Sequence, residues 1–166
     1  IVAYSGKGLV RNASTDTSNK TFLPYYELTL HVGENLGWPM DPWPFNSWVP
    51  RLVVIHLGIN DFLGKVTKPA LPAIFVDHYD QFLQSLRTHY PGANFVLMST
   101  TDWPHGLLRS AVEKVVQRQK SAGYQDTAHL YYALQGNALH WHPSVKQHEG
   151  IAARLIELID REKLLH

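Results

Sequence analysis

Continuous apolar runs alternate along this chain with stretches in which apolar residues return every three to four positions. Leu-Val-Val-Ile-His-Leu at 52–57 and Asn-Phe-Val-Leu-Met at 94–98 are unbroken runs. Strands of that kind are covered on both faces, as in a parallel sheet. Shorter β-prone runs at 1–4 and 130–133 predict two further strands. Between them, Phe75, Tyr79, Phe82, Leu83, Leu86 and Tyr90 keep a helical period until Pro91-Gly92 stops it. Leu108, Ala111, Val112, Val115 and Ala122 repeat the pattern up to Gly123. Ile151, Leu155, Leu158 and Ile159 form a last stripe, set among Arg154, Glu157, Arg161 and Glu162. A shorter helix is predicted over 25–31. Strands alternating with helices of this length predict an α/β fold with right-handed crossovers, in one domain over 1–166.

One segment fits neither period. Residues 37–50, Gly-Trp-Pro-Met-Asp-Pro-Trp-Pro-Phe-Asn-Ser-Trp-Val-Pro, carry three Trp and four Pro. The expectation is a packed connector over the sheet edge, with a sugar-stacking platform as the sharper alternative. Composition narrows the rest. The 166 residues are 45% hydrophobic and 17% charged, which is globular. A net charge of +1 without a basic block points to neither nucleic acid nor an anionic membrane. No run approaches the ~18 apolar residues of a membrane span. Cysteine is absent, which removes disulfides and thiolate chemistry. The sequons at Asn12 and Asn19 are candidate glycosylation sites and favour a secreted protein.

In an open parallel sheet, ligands bind beyond the carboxyl ends of the strands. The residues placed there are Ser5-Gly6-Lys7-Gly8, Gly58-Ile59-Asn60-Asp61, Ser99-Thr100-Thr101-Asp102-Trp103, and His140-Trp141-His142-Pro143-Ser144 ahead of the last helix. Each could be only a turn. Taken together, a Gly6 N–H and the Asn60 amide are the donors an oxyanion hole uses, and His142 beside Pro143 is a candidate general base.

Val-Val-Ile-His-Leu-Gly-Ile-Asn-Asp-Phe resembles the third conserved block of the SGNH (GDSL-like) hydrolases. His-Trp-His-Pro-Ser resembles the fifth, and Ile-Val-Ala-Tyr-Ser-Gly-Lys-Gly-Leu-Val-Arg-Asn the second. The Trp-Pro link before 52–57 and Trp-His-Pro-Ser near the end resemble carbohydrate esterase family 2, deacetylases of plant polysaccharides. The resemblance implies a three-layer α/β/α sandwich with sheet order 2-1-3-4-5. It also implies Gly6 and Asn60 as oxyanion donors, His142 as base, Trp103 and Trp141 lining the acyl pocket or sugar site, and no cofactor or metal. Asp61 is expected to brace its loop.

The family's Gly-Asp-Ser block, with its nucleophile, is nowhere in this sequence. Ser5 sits where the second block belongs and lacks a nucleophile elbow. Residues 1–4 would be the family's second strand and 52–57 its third, with the first lying between them. The expectation is that a separate N-terminal peptide supplies that strand and the nucleophilic Ser. The acid that usually precedes the fifth-block His is also missing, since Leu139 and His140 occupy those places. A backbone carbonyl within 136–141 is expected to orient His142 instead, giving a Ser–His dyad. Two alternatives stand beside the esterase: a catalytically inactive, lectin-like carbohydrate-binding protein, and a metal cluster of His140, His142 and His148. A phosphate loop at Gly6-Lys7 is excluded, because Gly8-Leu9 follow where a Ser/Thr is needed.

Overall fold

Leu52–Ile55 (β1), Asn94–Thr100 (β2) and Thr127–Tyr132 (β3) pair in that order as a parallel sheet. The computed structural model describes residues 2–13, 20–28, 41–63, 71–101, 106–134, 138 and 142–165. β2 is the central strand, and every residue from Phe95 to Thr100 is buried. Its alternate side chains enter different cores. Phe95 and Leu97 join the larger cluster under Leu71–His89 (α3) and Leu107–Ser121 (α4). Val96 and Met98 face Val145–Arg161 (α5), with Ala128, Leu130 and Tyr132 of β3. A strand buried on both faces needs apolar residues at every position, which is why 94–98 shows no alternation. The result is the predicted α/β/α sandwich. Short helical turns at Leu23–Tyr26 (α1) and Ile59–Phe62 (α2) complete the α/β order.

β3 begins three residues earlier than the apolar run suggests. Thr127 and His129 alternate with Ala128 and Leu130 and turn toward α4, so the strand reads as half polar. Its start is held by Arg87 at the end of α3. That guanidinium lies between the rings of Phe95 and Tyr124, 4.7 and 3.9 Å from their centroids, and donates to Asp126 and to Thr127 Oγ1 at 2.9 Å.

The strand predicted at 1–4 is not formed: residues 2–4 have no regular structure, and Ile1 lies outside the described residues. A tripeptide holds strand geometry only when a neighbour completes its ladder. Tyr4 packs instead on the Tyr25 ring, centroids 5.3 Å apart. Among the described residues β1 therefore pairs with β2 alone, and Val54 in its middle is 42% exposed. The helix predicted over 25–31 is the single turn α1; residues 29–31 lie outside the described residues. The connector packs only in part. Phe45 stacks on His89 with centroids 3.7 Å apart, while Trp48 is 66% exposed. Among the described residues no helix is long and apolar enough to cross a membrane.

Candidate active site

After β1 the chain reverses at Gly58, whose φ is +114°. A Cβ there would lie 2.4 Å from Leu108 Cδ1 and 2.8 Å from Phe75 Cζ, so only glycine passes between α3 and α4. The reversal sets Asn60 and Asp61 on α2, just past the carboxyl end of β1. Asp61 is wholly buried. Its carboxylate accepts the N–H groups of Leu9, Val10 and Arg11 at 2.9, 2.7 and 2.9 Å. Gly8 lets the turn come this close, since a Cβ would sit 2.6 Å from Asp61 Oδ2. Burial raises the Asp61 pKa, while the three N–H bonds and the Arg11 charge pull it down. Asp61 thus braces the loop as expected.

The neighbouring Asn60 is half-buried, and its Nδ2 donates to Lys7 O at 2.8 Å. That bond uses one of its two amide hydrogens. The Gly6 carbonyl accepts the Ala13 N–H at 2.8 Å, and the Gly6 N–H donates to no described residue. Asn60 is therefore held against the backbone one residue past Gly6, and each has an N–H not engaged by the described residues. Two such donors can hold a negative oxygen.

His142 stands two residues before Ser144, the N-cap of α5. Ser144 Oγ accepts the Gln147 N–H at 3.4 Å, and Gln147 Oε1 accepts the Ser144 N–H at 2.7 Å. This capping box starts α5 six residues before the apolar stripe does, and it is visible in the sequence as Ser-x-x-Gln. His142 is exposed, its carbonyl accepts the Ala138 N–H at 3.3 Å, and its ring is bonded to no described residue. Because the strands are parallel, the segment after β3 and the turn after β1 leave the same end of the sheet. No hydrogen bond joins His142 to Gly6 or Asn60 among the described residues. Trp103, Trp141, Leu139, His140, and all of 136–141 except Ala138 lie outside the described residues, as does Asp102. His148 lies within α5.

No protein-family model matches the chain. An acetylxylan esterase / glucomannan deacetylase of Cellvibrio japonicus is 31% identical over 98% of this chain and 46% of its own length. The cellulase/esterase CelE of Acetivibrio thermocellus is 31% identical over 93% of this chain and 19% of its own. An active-site mutant of a family two carbohydrate esterase from Clostridium thermocellum superposes with a TM-score of 0.82 at 30% identity, over 96% of this chain and 48% of that one. Sequence and fold relate this chain to carbohydrate esterase family 2. A family 2 enzyme from Corynascus thermopiles, carrying a carbohydrate-binding domain, superposes at 0.77 with 28% identity, over 97% of this chain and 51% of that one. The chain thus spans less than half the length of the curated family 2 relatives it matches. The parallel α/β/α order matches the SGNH-type fold of these esterases.

Set against the family 2 pattern, a second Ser–His–acid grouping is a decoy. Ser99 Oγ is 2.7 Å from His129 Nε2, and Glu113 Oε1 is 3.9 Å from His129 Nδ1. Ser99 has no exposed surface, so no ester can reach it. Asn12 is among the described residues; its Nδ2, the atom a glycan would occupy, donates to Lys20 O at 2.9 Å. Asn19 lies outside the described residues. The signals missed in the sequence are the capping box and Lys7, whose buried side chain no local pattern announces.

Proposed function

We propose that this chain supplies the oxyanion donors and the catalytic base of an extracellular carbohydrate O-acetyl esterase of the family 2 type. The observation that carries the reading is the Gly6–Asn60 turn, braced from below by Asp61. In the proposed reaction a serine hydroxyl attacks the acetyl carbonyl. His142 takes its proton as the oxygen–carbon bond forms, and the Gly6 and Asn60 N–H groups hold the resulting oxyanion. Collapse of that intermediate breaks the ester bond, and His142 returns the proton to the departing sugar alkoxide. Water then repeats the sequence on the acetyl-serine, releasing acetate. The serine is carried by a segment whose strand pairs with β1 on the side away from β2. The exposed apolar Val54 on β1 supports that placement.

A second reading is carbohydrate binding without catalysis. One solved relative is described as having an active site with divergent catalytic and non-catalytic binding functions, and another was solved with cellohexaose. The deciding experiment isolates the native protein with whatever peptide accompanies it and measures acetate release from acetylated xylan. The esterase reading expects release, abolished by His142→Ala and lowered about 10²–10³-fold in kcat by Asn60→Ala. Cellohexaose binding with no acetate released would establish the lectin-like reading instead.

A further inference from the structure

A buried ammonium lies next to the proposed oxyanion turn. Lys7 is only 5% exposed. Its Nζ sits 5.3 Å from the Tyr4 ring centroid and 5.2 Å from that of Tyr25, and donates to Lys20 O at 2.7 Å. A lysine in such a place bears a desolvation cost that a methionine or leucine filling the same gap would avoid. Its backbone is held as well, since Lys7 O accepts from Asn60 Nδ2.

We propose that Lys7 is a positioning residue of the oxyanion turn, clamping Tyr4 across the Ser5–Gly6 peptide so that the Gly6 N–H keeps one direction. The inference rests on the esterase reading above for its catalytic consequence, though not for its structural one. Gly6 has φ +75° and, being glycine, can change that dihedral at little steric cost. The direction of its N–H is therefore set by what grips the chain on either side. On one side is the Tyr4 ring, packed on Tyr25. On the other is Lys7, which reaches back over that same ring. The cation–π contact closes a bracket around the peptide that carries the donor. Asp61 fixes the turn only from Leu9 onward, so it cannot replace this clamp.

The test has two arms. In this chain, Lys7→Met and Tyr4→Leu are compared with the parent by amide hydrogen exchange. Exchange at Gly8 and Ala13, whose N–H groups are bonded to Asn12 Oδ1 and to Gly6 O, is expected to quicken about tenfold in both variants, with the β2 amides unchanged. Unchanged exchange at these positions, or a loss shared equally with β2, overturns the inference. In the native esterase, p-nitrophenyl acetate hydrolysis is expected to lose roughly tenfold or more in kcat at unchanged KM in Lys7→Met. Lys7→Arg, which keeps a cation over the rings, is expected to recover most of it. An active parent whose kcat is untouched by Lys7→Met overturns the catalytic consequence. An inactive parent refutes the esterase reading, and the exchange arm still decides the clamp.

Discussion

Replacing Asp61 by alanine tests the brace on which the site depends. The substitution removes a carboxylate that accepts three N–H groups from Leu9, Val10 and Arg11. A buried donor left without a partner costs about 1–3 kcal/mol. Leu9 is fully buried, whereas Val10 and Arg11 are half-buried, so water can recover part of their loss. One full cost and two partial ones give about 3–5 kcal/mol. Against this stands the relief of no longer desolvating the carboxylate, which the raised pKa of Asp61 records. The net expectation is a loss of about 2–4 kcal/mol, a large share of the ~5–15 kcal/mol that holds a domain of this kind together. At roughly 2–4 °C per kcal/mol for a domain of this length, Tm falls by about 4–16 °C. Urea unfolding with unchanged m measures the same quantity directly. Asp61→Asn keeps one acceptor oxygen but turns an NH2 toward the same donors, and should recover less than half of the loss. A change below about 1 kcal/mol in Asp61→Ala would show that the 9–11 turn is held by its other contacts and that the carboxylate does not brace it.

Two further outcomes follow from buried polar groups. Tyr79 Oη is buried with no hydrogen-bond partner among the described residues, in the field of Asp61, so Tyr79→Phe should leave stability unchanged or raise it by about 1 kcal/mol; thermal unfolding that shows a loss would mean the hydroxyl is paired. Burial lowers the His129 pKa, with Glu113 pulling it up and Arg109 pushing it down, and the ring also meets Ser99 Oγ. Between that lowered value and about 6.5 the unfolded chain binds a proton that the folded one does not. The stability from this group is therefore full above about pH 6.5 and is lost as pH falls below it. The drop in Tm from pH 7 to pH 5 should be smaller in His129→Gln than in the parent, and equal drops would refute the assignment.

What the chain reveals locally, it reveals because a local cause is enough. The run at 94–98 marks a strand, since burial on both faces demands an unbroken apolar sequence; the run at 52–57 also marks one, although β1 ends at Ile55 and only that residue of it is buried among the described residues. The stripes of α3 and α4 mark helices, since one face alone is buried. Glycine, Asn and Asp at the end of β1 locate the turn bearing Asn60, and Ser144 with Gln147 sets the start of α5 within three residues. The β-prone residues at 2–4 misled for the converse reason, because a strand exists only with a partner and composition cannot supply one. The brace and the clamp were decided by tertiary structure. Asp61 meets amides 50 to 52 residues away, Asn60 meets a carbonyl 53 away, and Lys7 enters a cage built partly from Tyr25 and Lys20. A buried charge is stabilised by whichever dipoles and rings the fold brings around it, and neither the charge nor its immediate neighbours in sequence specify which those are.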